Sequence, residues 1–358
     1  MASSFELPIW FPKKLVQRVR TVDIPKKLRR HPIIFQALLR AGALLPKKIS
    51  RSDYTHRIFH AFDWWTARHI AKKKPTIVIC YENSAYHTFR AAKKIGALCI
   101  LDAPALQHVS AEKLTPRVQT AYLHEINRRK DEEVAQADLI LTCSPLAAES
   151  YILAGTPKNK IKSLLLGATV PSEMQELWVR HNRPLHFIFA GALRELKAID
   201  IILKAFNRLH VEGYSYQVTF VGGEGEAGWV RKVEETPGAT YHPSVPQALL
   251  YKKLAEADCL LLPSRFDSFG MVVAEAMACG TPAIVSTNTG SKAIIEQFPK
   301  SGWIVDTNEE SLYSCIKDRI INREELFSAR QSALEASRTF TWESYRQRAS
   351  KLLKEWMV

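Results

Sequence analysis

Short apolar runs rich in Val, Ile and Leu alternate with longer amphipathic stretches over most of the chain. The runs TIVICYEN, ALCILDAP, ADLILTCS and KIKSLLLG have the length and composition of buried strands. Between them, AYHTFRAAKKIG and YLHEINRRKDEEVAQA carry apolar residues at helical spacing. This alternation is typical of βα units that build a parallel sheet, so the sequence predicts an α/β domain.

A polar stretch rich in charge and proline, residues 171–184, separates this series from a second one. The second series has the strand patterns HFIFAGAL, YQVTFVGG, ADCLLLPS, GTPAIVST and GWIVD and the helix patterns IDIILKAFNRLH, PQALLYKKLAEA, FGMVVAEAMA and KAIIEQF. We predict an α/β domain over residues 1–180, a second over 181–340, and a helix over 341–358 that packs back on the first. Such a pair places a cleft between the carboxyl ends of two sheets, where these folds bind ligands.

Positive charge is concentrated at the start of the chain. The net charge is +14, and residues 1–70 contain 14 Lys and Arg against 4 Asp and Glu. Basic residues 13–51 are interleaved with apolar ones and preceded by Trp10 and Phe11, a pattern typical of interfacial segments. We therefore expect attachment to a membrane surface, with a solvated basic face as the alternative. No RNA-binding or zinc-finger pattern accompanies the charge, so we expect no nucleic-acid partner.

The six cysteines lack CxxC spacing, and four lie in or beside apolar runs. They are typical of reduced core thiols in a cytosolic protein. No apolar run approaches eighteen residues, and the first thirty residues lack the order of a signal peptide. We expect a cytoplasmic protein that is peripheral on the cytoplasmic face of a membrane.

The segment RFDSFGMVVAEAMACG, Arg265 to Gly280, carries the clearest chemistry. A strand is predicted to end at Pro263 and a helix to run from near Ser268 to Gly280, with Asp267 or Ser268 as its cap. Glycine at position 270 lets a ligand approach the backbone. The free N–H groups of the first turn, together with the helix dipole, predict an anion site suited to a diphosphate.

Two carboxylates of this segment are candidates for sugar contacts. Glu275 lies mid-helix among small and apolar neighbours, which predicts burial, and a buried carboxylate is costly unless it is paired. A ribose diol would pair with it, and a structural salt bridge is the alternative. Asp267 can accept hydrogen bonds from sugar hydroxyls, and helix capping alone is the alternative.

This segment resembles the E-x7-E region of the retaining glycosyltransferases of family 4, which have the two-domain GT-B fold. FIFAGALRELKAIDIILKAFNRL, VTFVGGEGE and VPQALLYKKLAEADCLLLPS resemble further units of that family, in the same order. The resemblance covers approximately residues 75 to 350. It implies two Rossmann-like α/β domains facing a central cleft. It also implies transfer of a sugar from a UDP- or GDP-sugar to an acceptor hydroxyl, with retention.

The resemblance also implies donor-site roles. Arg194 and Lys197 would bind the diphosphate, Asp267 would take the place of the first glutamate near the donor sugar, and Glu275 would hold the ribose. The remaining donor-site candidates are Gly191, Gly223, Ser268, Phe269, Gly270 and Met271. Two positions depart from the family: Asp267 is shorter than glutamate by one methylene, and Ala192 stands where arginine is frequent.

Candidates in the first domain follow two predicted strands. His108 comes after ALCILDAP, and the resemblance implies that it touches the donor sugar near the reacting carbon; an ordinary surface histidine is the alternative. Glu82, Asn83, Ser84 and His87 follow TIVIC at the cleft end of their strand and are acceptor-side candidates.

We expect no metal and no further cofactor. Fixed cations and helix N–H groups can stabilise the negative charge that develops on a departing nucleotide. The chain also has no Asp-x-Asp pair to chelate a divalent cation beside a diphosphate.

The start of the chain departs most from the family, which usually opens with a strand, a Gly-rich loop and a helix. MASSFELPIWFPKKLV shows no such unit, and FELPIWF is at best a second strand, so we expect the first βα unit to be absent. The preferred function is transfer in lipopolysaccharide, exopolysaccharide or glycolipid assembly, to a lipid-linked or saccharide acceptor. A catalytically impaired nucleotide-binding or scaffold protein and a paired-carboxylate glycosidase are the alternatives.

Overall fold

The computed structural model describes residues 33–42, 50–114, 120–176 and 183–356. FELPIWF, most of the basic segment 13–51 and part of the stretch between the two strand series lie outside the described residues. The chain divides into two units, one ending at Phe62 and one beginning at Asp63.

Two helices contribute to the first unit, α1 (Ile33–Ala41) and the beginning of α2 (Arg51–Lys73). The Tyr54 hydroxyl donates to the Leu38 carbonyl at 2.9 Å, and the rings of Phe35 and Phe62 meet edge to face with centroids 5.5 Å apart. Apolar side chains of α1 are nevertheless open to solvent, because Ile34 is 62% exposed and Leu38 is 40% exposed.

The second unit begins with a parallel four-stranded sheet in the order β1-β2-β3-β4. Its strands are β1 (Ile77–Tyr81), β2 (Leu98–Asp102), β3 (Leu139–Thr142) and β4 (Ile161–Ser163), which confirms the four predicted strands. The helices that connect them are α3 (Tyr86–Lys93), α4 (His108–Leu114), α5 (Ala121–Gln136) and α6 (Pro145–Leu153). In the described residues β1 is an edge strand, and its Ile79 and Tyr81 side chains are about half exposed.

The second sheet is parallel and six-stranded, in the order β10-β9-β8-β5-β6-β7. Its strands are β5 (Leu185–Ala190), β6 (Tyr216–Val221), β7 (Ala239–His242), β8 (Cys259–Leu262), β9 (Ala283–Ser286) and β10 (Gly302–Val305). The helices of this part are α7 (Ile199–Val211), α8 (Trp229–Glu234), α9 (Gln247–Glu256), α10 (Met271–Ala278), α11 (Lys292–Gln297), α12 (Glu309–Ile321) and α13 (Arg323–Thr339). Strand order reverses between β5 and β8, and a crevice forms at such a reversal.

Apolar runs pack this sheet against its helices. Phe187 and Ile188 of β5 are fully buried, and the apolar face of α7 places Ile202 and Phe206 against the sheet. The ring centroids of Phe187 and Phe206 lie 5.6 Å apart. This packing fixes where α7 begins, and therefore where the loop between β5 and α7 lies.

The last helix, α14 (Trp342–Glu355), follows the second sheet but packs on the first. Its Tyr345, Leu352 and Leu353 contact the buried side chains of β2 and β3. Just before α14, the Phe340 carbonyl accepts the N–H of Ala168 at 2.9 Å. The chain therefore connects the two sheets twice, once after β4 and once before α14. The hydrogen bond between Ala168 and Phe340 joins these two connections.

Candidate functional site

The loops after β5 and β8 lie side by side, because these two strands are neighbours in the sheet. Arg265 connects the two loops. Its backbone N–H donates to the Leu196 carbonyl at 2.9 Å, and its guanidinium makes two bonds of 2.7 Å to the Asp200 carboxylate at the start of α7. Bidentate pairing fixes orientation as well as distance, and these bonds hold the pKa of Asp200 below its ordinary value. The two loops therefore form one rigid wall of the crevice.

Lys197 and Asp267 meet in this crevice. A short turn, Glu195–Lys197, ends at Ala198, whose left-handed φ of 58° turns the chain into α7. The turn directs the Lys197 ammonium onto the Asp267 carboxylate, where the two form an ion pair and a hydrogen bond. Each side chain is mostly buried, with 23% and 17% of its surface exposed. Two of the predicted donor-site residues are thus in direct contact.

The Arg194 side chain lies against the glycine turn after β6. A Cβ on Gly225 would come within 2.5 Å of the Arg194 side chain. A Cβ on Gly222 would come 1.8 Å from the Gly191 carbonyl oxygen, so the turn approaches the β5 loop backbone directly. Backbone hydrogen bonds from the Leu193 N–H to the Gly223 carbonyl and from the Gly225 N–H to the Leu193 carbonyl, at 2.9 and 3.1 Å, hold the turn against the β5 loop.

The helix after β8 begins later than the sequence predicts. It starts at Met271, not near Ser268, because Gly270 adopts a left-handed φ of 83° as the N-cap residue. Neither Asp267 nor Ser268 caps the helix: the Asp267 carboxylate instead accepts the N–H of Phe269 at 3.3 Å, before the helix begins. The prediction of a side-chain cap was wrong at this point.

The consequence is an open helix terminus. In the part of the chain that the structure describes, the N–H groups of Gly270, Met271 and Val272 reach no acceptor. Three amides aimed outward at the positive end of a helix dipole form a site suited to an anion. Phe269, by contrast, is 2% exposed, and its side chain belongs to the core.

Glu275 lies one turn further along α10 and is half-buried, less buried than the sequence predicts. The Gln247 side-chain amide donates to its carboxylate at 3.3 Å and to the Tyr251 hydroxyl at 2.6 Å. Gln247 is the first residue of α9, so two helices bring polar groups to the same place. An ionised carboxylate has two oxygens and about four acceptor positions.

In the first sheet, His108 is the first residue of α4 and pairs with a carboxylate of α5. Its Nε2 lies 2.7 Å from Asp131 Oδ1, and its Nδ1 is buried with no partner among the described residues. A cavity with room for about one water molecule lies beside it, and Glu82, Lys130 and Tyr151 also line this space. Glu82 is 8% exposed, and burial raises its pKa. The structure thus brings two predicted residues, Glu82 and His108, to one cavity.

The other acceptor-side candidates do not line that cavity. Asn83 adopts a left-handed φ of 69°, and its side-chain oxygen is buried without a partner in the described structure. Ser84 lies in the turn, with its N–H donating to the Tyr81 carbonyl at 3.2 Å. His87 is in the first turn of α3, where burial lowers the pKa of its ring.

The amino terminus of α3 is filled by the protein's own carboxylates. Glu133 accepts the N–H groups of Asn83, Ala85 and Tyr86 at 2.8 to 3.2 Å. Asp63 accepts the next two amides along the helix at 2.7 and 2.9 Å. Sequence reasoning missed both acids, which lie 24 and 50 residues from their partners. An anion therefore finds free amides at α10 but occupied ones at α3.

Neither a metal centre nor a membrane span is present in the described residues. Within those ranges no three or more His, Cys, Asp or Glu side chains are grouped to hold a metal ion. Among the helices described, none combines the length and apolar content needed to cross a membrane.

A segment that contains the whole second sheet matches a known family model. Residues 184–322, from β5 to the end of α12, match the model described as "Glycosyl transferases group 1". This segment contains the ion pair, the open helix terminus and Glu275.

Two relatives show the extent of the sequence similarity. A D-inositol 3-phosphate glycosyltransferase of Thermomonospora curvata is 30% identical over 174 residues, 44% of this chain and 39% of that protein. A glycogen synthase of Thermus thermophilus is 31% identical over 148 residues, 40% of this chain and 34% of that protein. The chain thus matches less than half the length of these relatives.

Solved structures show the fold over a longer range. A sucrose-phosphate synthase from Thermosynechococcus elongatus superimposes with a TM-score of 0.66 at 17% identity, over 87% of this chain and 80% of that one. The lipopolysaccharide outer core galactosyltransferase WaaB gives 0.64 at 17% identity, over 86% and 82%. HepE of Anabaena in complex with UDP gives 0.65 at 15% identity, over 82% of each chain. These similarities confirm the predicted GT-B fold.

Proposed function

We propose that this protein is a retaining glycosyltransferase that moves a sugar from a nucleoside diphosphate sugar to an acceptor hydroxyl. One observation carries the proposal: three open amides at the start of α10 lie at the reversal of strand order, on the loop whose Asp267 pairs with Lys197. The match of residues 184–322 and the similarity to a structure determined with UDP support the choice of donor.

The donor diphosphate would bind where positive charge is fixed. Negative charge grows on the nucleotide as its bond to the sugar breaks, and donors already aimed at that charge stabilise it without reorganisation. Lys197 and the amides of Gly270 to Val272 would supply those donors. Arg194 is exposed on the neighbouring turn and would approach from the outside. A diphosphate would have to compete with Asp267 for the lysine.

The two acids of the segment would have separate roles. Glu275 would accept hydrogen bonds from the ribose diol, with Gln247 orienting its carboxylate. Asp267 would face the donor sugar. In a retaining transfer of this type, the acceptor hydroxyl attacks on the face from which the nucleotide departs, and the leaving phosphate takes its proton. The acceptor would approach from the side of the first sheet on which Glu82 and His108 lie.

Nucleotide binding and turnover test the donor proposal. We expect calorimetry to detect UDP or GDP binding, and mass spectrometry to detect a glycosylated product from nucleotide sugars and lipid extracts. Chelation by EDTA is expected to leave the rate unchanged. Hydrolysis of a simple glycoside without any nucleotide, or failure of both nucleotides to bind, would contradict the proposal.

A catalytically impaired nucleotide-binding protein is the second candidate. Two observations favour it: Ala192 provides no cation, and the short Asp267 side chain is held by Lys197. Tight nucleotide binding without transfer to any tested acceptor would support this candidate over the enzyme.

We further propose a lipid-linked or saccharide acceptor, in lipopolysaccharide, exopolysaccharide or glycolipid assembly, at the cytoplasmic face of a membrane. The exposed apolar side chains of α1 and the +10 charge of residues 1–70 support this location. An apolar face flanked by basic residues suits an anionic lipid surface.

Vesicle sedimentation tests the membrane proposal. We expect the protein to bind vesicles containing phosphatidylserine, less so at high salt, and to bind neutral vesicles weakly. Substitution Leu38→Glu is expected to reduce binding. Val211→Glu is the control, because Val211 is 85% exposed on α7. Equal binding of both variants to anionic vesicles would contradict the role of α1.

A further inference from the structure

The loop after β3 of the first sheet contacts the loop after β8 of the second. The Ser144 hydroxyl donates to the Ser268 carbonyl at 2.5 Å. The Cys143 sulfur lies 3.3 Å from the same oxygen and 3.0 Å from the Pro104 carbonyl oxygen, and its single thiol proton can be given to only one of them. Ser144 is fully buried. One carbonyl of the donor loop is therefore held by a buried hydroxyl from the loop after β3.

That carbonyl belongs to a peptide group that also orients Asp267. In a trans peptide the C=O and the N–H point in opposite directions. On one side the Ser268 carbonyl meets Ser144, and on the other the Phe269 N–H meets the Asp267 carboxylate at 3.3 Å. A rotation of this peptide group would break the bond that orients the Asp267 carboxylate, which is the partner of Lys197, and it would displace the residue that precedes the first open amide.

The contact leaves no spare room. A Cβ on Gly290, in the loop after β9, would lie 2.1 Å from the Ser268 carbonyl oxygen and 2.5 Å from the Ser144 hydroxyl. Gly290 in turn donates its N–H to the Asp267 carbonyl at 2.9 Å, and Ser291 donates to the Phe269 carbonyl at 2.7 Å. The donor loop is thus fixed between a backbone ladder on one side and Ser144 on the other.

We infer that Ser144 is a positioning residue for the donor site, through which the first sheet holds the loop of Asp267 and Gly270 in its binding geometry. This inference rests on the proposed donor site. It means that nucleotide affinity depends on a residue of the acceptor-side sheet that touches no nucleotide. Ser144 also accepts the N–H of Ala147 as the N-cap of α6, so its removal has a structural cost that must be measured separately.

Thr120 offers the matched control. It is the N-cap of α5 and accepts the N–H of Leu123 at 3.0 Å, and it makes no hydrogen bond to the donor loop in the described structure. Calorimetry with UDP should show affinity about twofold to tenfold weaker in Ser144→Ala, the range expected for one lost hydrogen bond. Thr120→Ala should bind UDP as the wild type does, although both variants lose a cap.

Hydrogen exchange tests the inference without any ligand. Peptides covering 265–271 and 287–293 contain the protected amides of Asp267, Gly290 and Ser291. These peptides should exchange faster in Ser144→Ala and in Gly290→Ala than in the wild type. In Thr120→Ala they should exchange at the wild-type rate. Wild-type UDP affinity together with unchanged exchange in Ser144→Ala would overturn the inference. Failure of the wild type to bind any nucleotide would instead refute the proposed donor site, and exchange would still decide whether Ser144 holds the loop.

Discussion

Lys197 and Asp267 form an ion pair across the two loops that meet where the second sheet reverses its strand order. The pair keeps a cation in place beside the open terminus of α10, and it also occupies that cation. Substitution of the lysine should therefore weaken nucleotide binding, whereas substitution of the aspartate should not.

The first prediction concerns this pair. Lys197→Met should weaken UDP binding about tenfold to a hundredfold, because a charge-assisted hydrogen bond to the phosphate is lost. Asp267→Asn should leave UDP binding unchanged or tighter, because the lysine loses its competitor, while transfer falls. Calorimetry and a transfer assay measure the two effects. Lys204→Met, on the exposed face of α7, is the control, and UDP affinity in Lys197→Met equal to that of this control would refute the role of the lysine.

The second prediction concerns Glu275 and the ribose. Glu275→Gln should weaken UDP binding about tenfold, because a neutral amide accepts hydrogen bonds from the diol less strongly than a carboxylate. The variant should distinguish UDP from 2′-deoxy-UDP less than the wild type does. The affinities of the wild type and of Glu275→Gln for UDP and for 2′-deoxy-UDP together form a double-mutant cycle. If the two changes are simply additive, Glu275 does not contact the 2′-hydroxyl.

The third prediction concerns the bidentate pair of Arg265 and Asp200. Arg265→Lys should lower the Tm and weaken UDP binding, because an ammonium cannot make two parallel bonds to a carboxylate. Adding Asp200→Asn to this variant should lower the Tm and the UDP affinity little further, since the bidentate pair is already broken. The pair's contribution should be present above the ordinary carboxyl pKa of 3.8 and lost as pH falls below it, because the pKa of Asp200 is lowered by Arg265. If the losses of Tm and UDP affinity caused by the two substitutions simply add, Arg265 and Asp200 are not coupled.

The fourth prediction concerns Glu133 at the start of α3. Burial raises its pKa from 4.5 to about 7, against the opposing effect of its backbone donors. A raised pKa contributes stability that is complete below pH 4.5 and lost as pH rises through 7. The urea concentration at the unfolding midpoint, measured at pH 5, 6 and 7.5, should therefore fall less steeply with rising pH in Glu133→Gln than in the wild type. The same slope in Glu133→Gln and in the exposed control Glu296→Gln would contradict this assignment.

The fifth prediction concerns the thiols. Burial raises the pKa of Cys143 and Cys315 to about 11 and that of Cys279 to about 12. Because the thiolate is the reactive form, the native protein should react slowly with a disulfide reagent at pH 8. All six cysteines should react in denaturant. Rapid reaction of several thiols in the native state would contradict their burial.

Nine of the ten strands that the structure describes and the helices α3, α5, α7, α9, α10, α11 and α14 could be predicted because each carries its own periodicity, whereas α2, α4, α6, α8, α12 and α13 were not predicted. β7 could not, since ATYH has no apolar run and is an edge strand. The start of α10 was misplaced because Gly270 adopts a left-handed conformation that composition does not reveal. The contacts that build the site join residues far apart in the chain. Lys197 and Asp267 are 70 positions apart, and Ser144 and Ser268 are 124 apart.

The return of α14 to the first sheet has a consequence for the connection between the sheets. The connection after β4 touches the connection before α14, since a Cβ on Gly167 would lie 2.4 Å from the carbonyl carbon of Thr341. The two backbone segments that connect the sheets therefore lie against each other. A proteolytic nick between Glu176 and Arg183 would therefore leave one particle, with its two fragments still held together through α14.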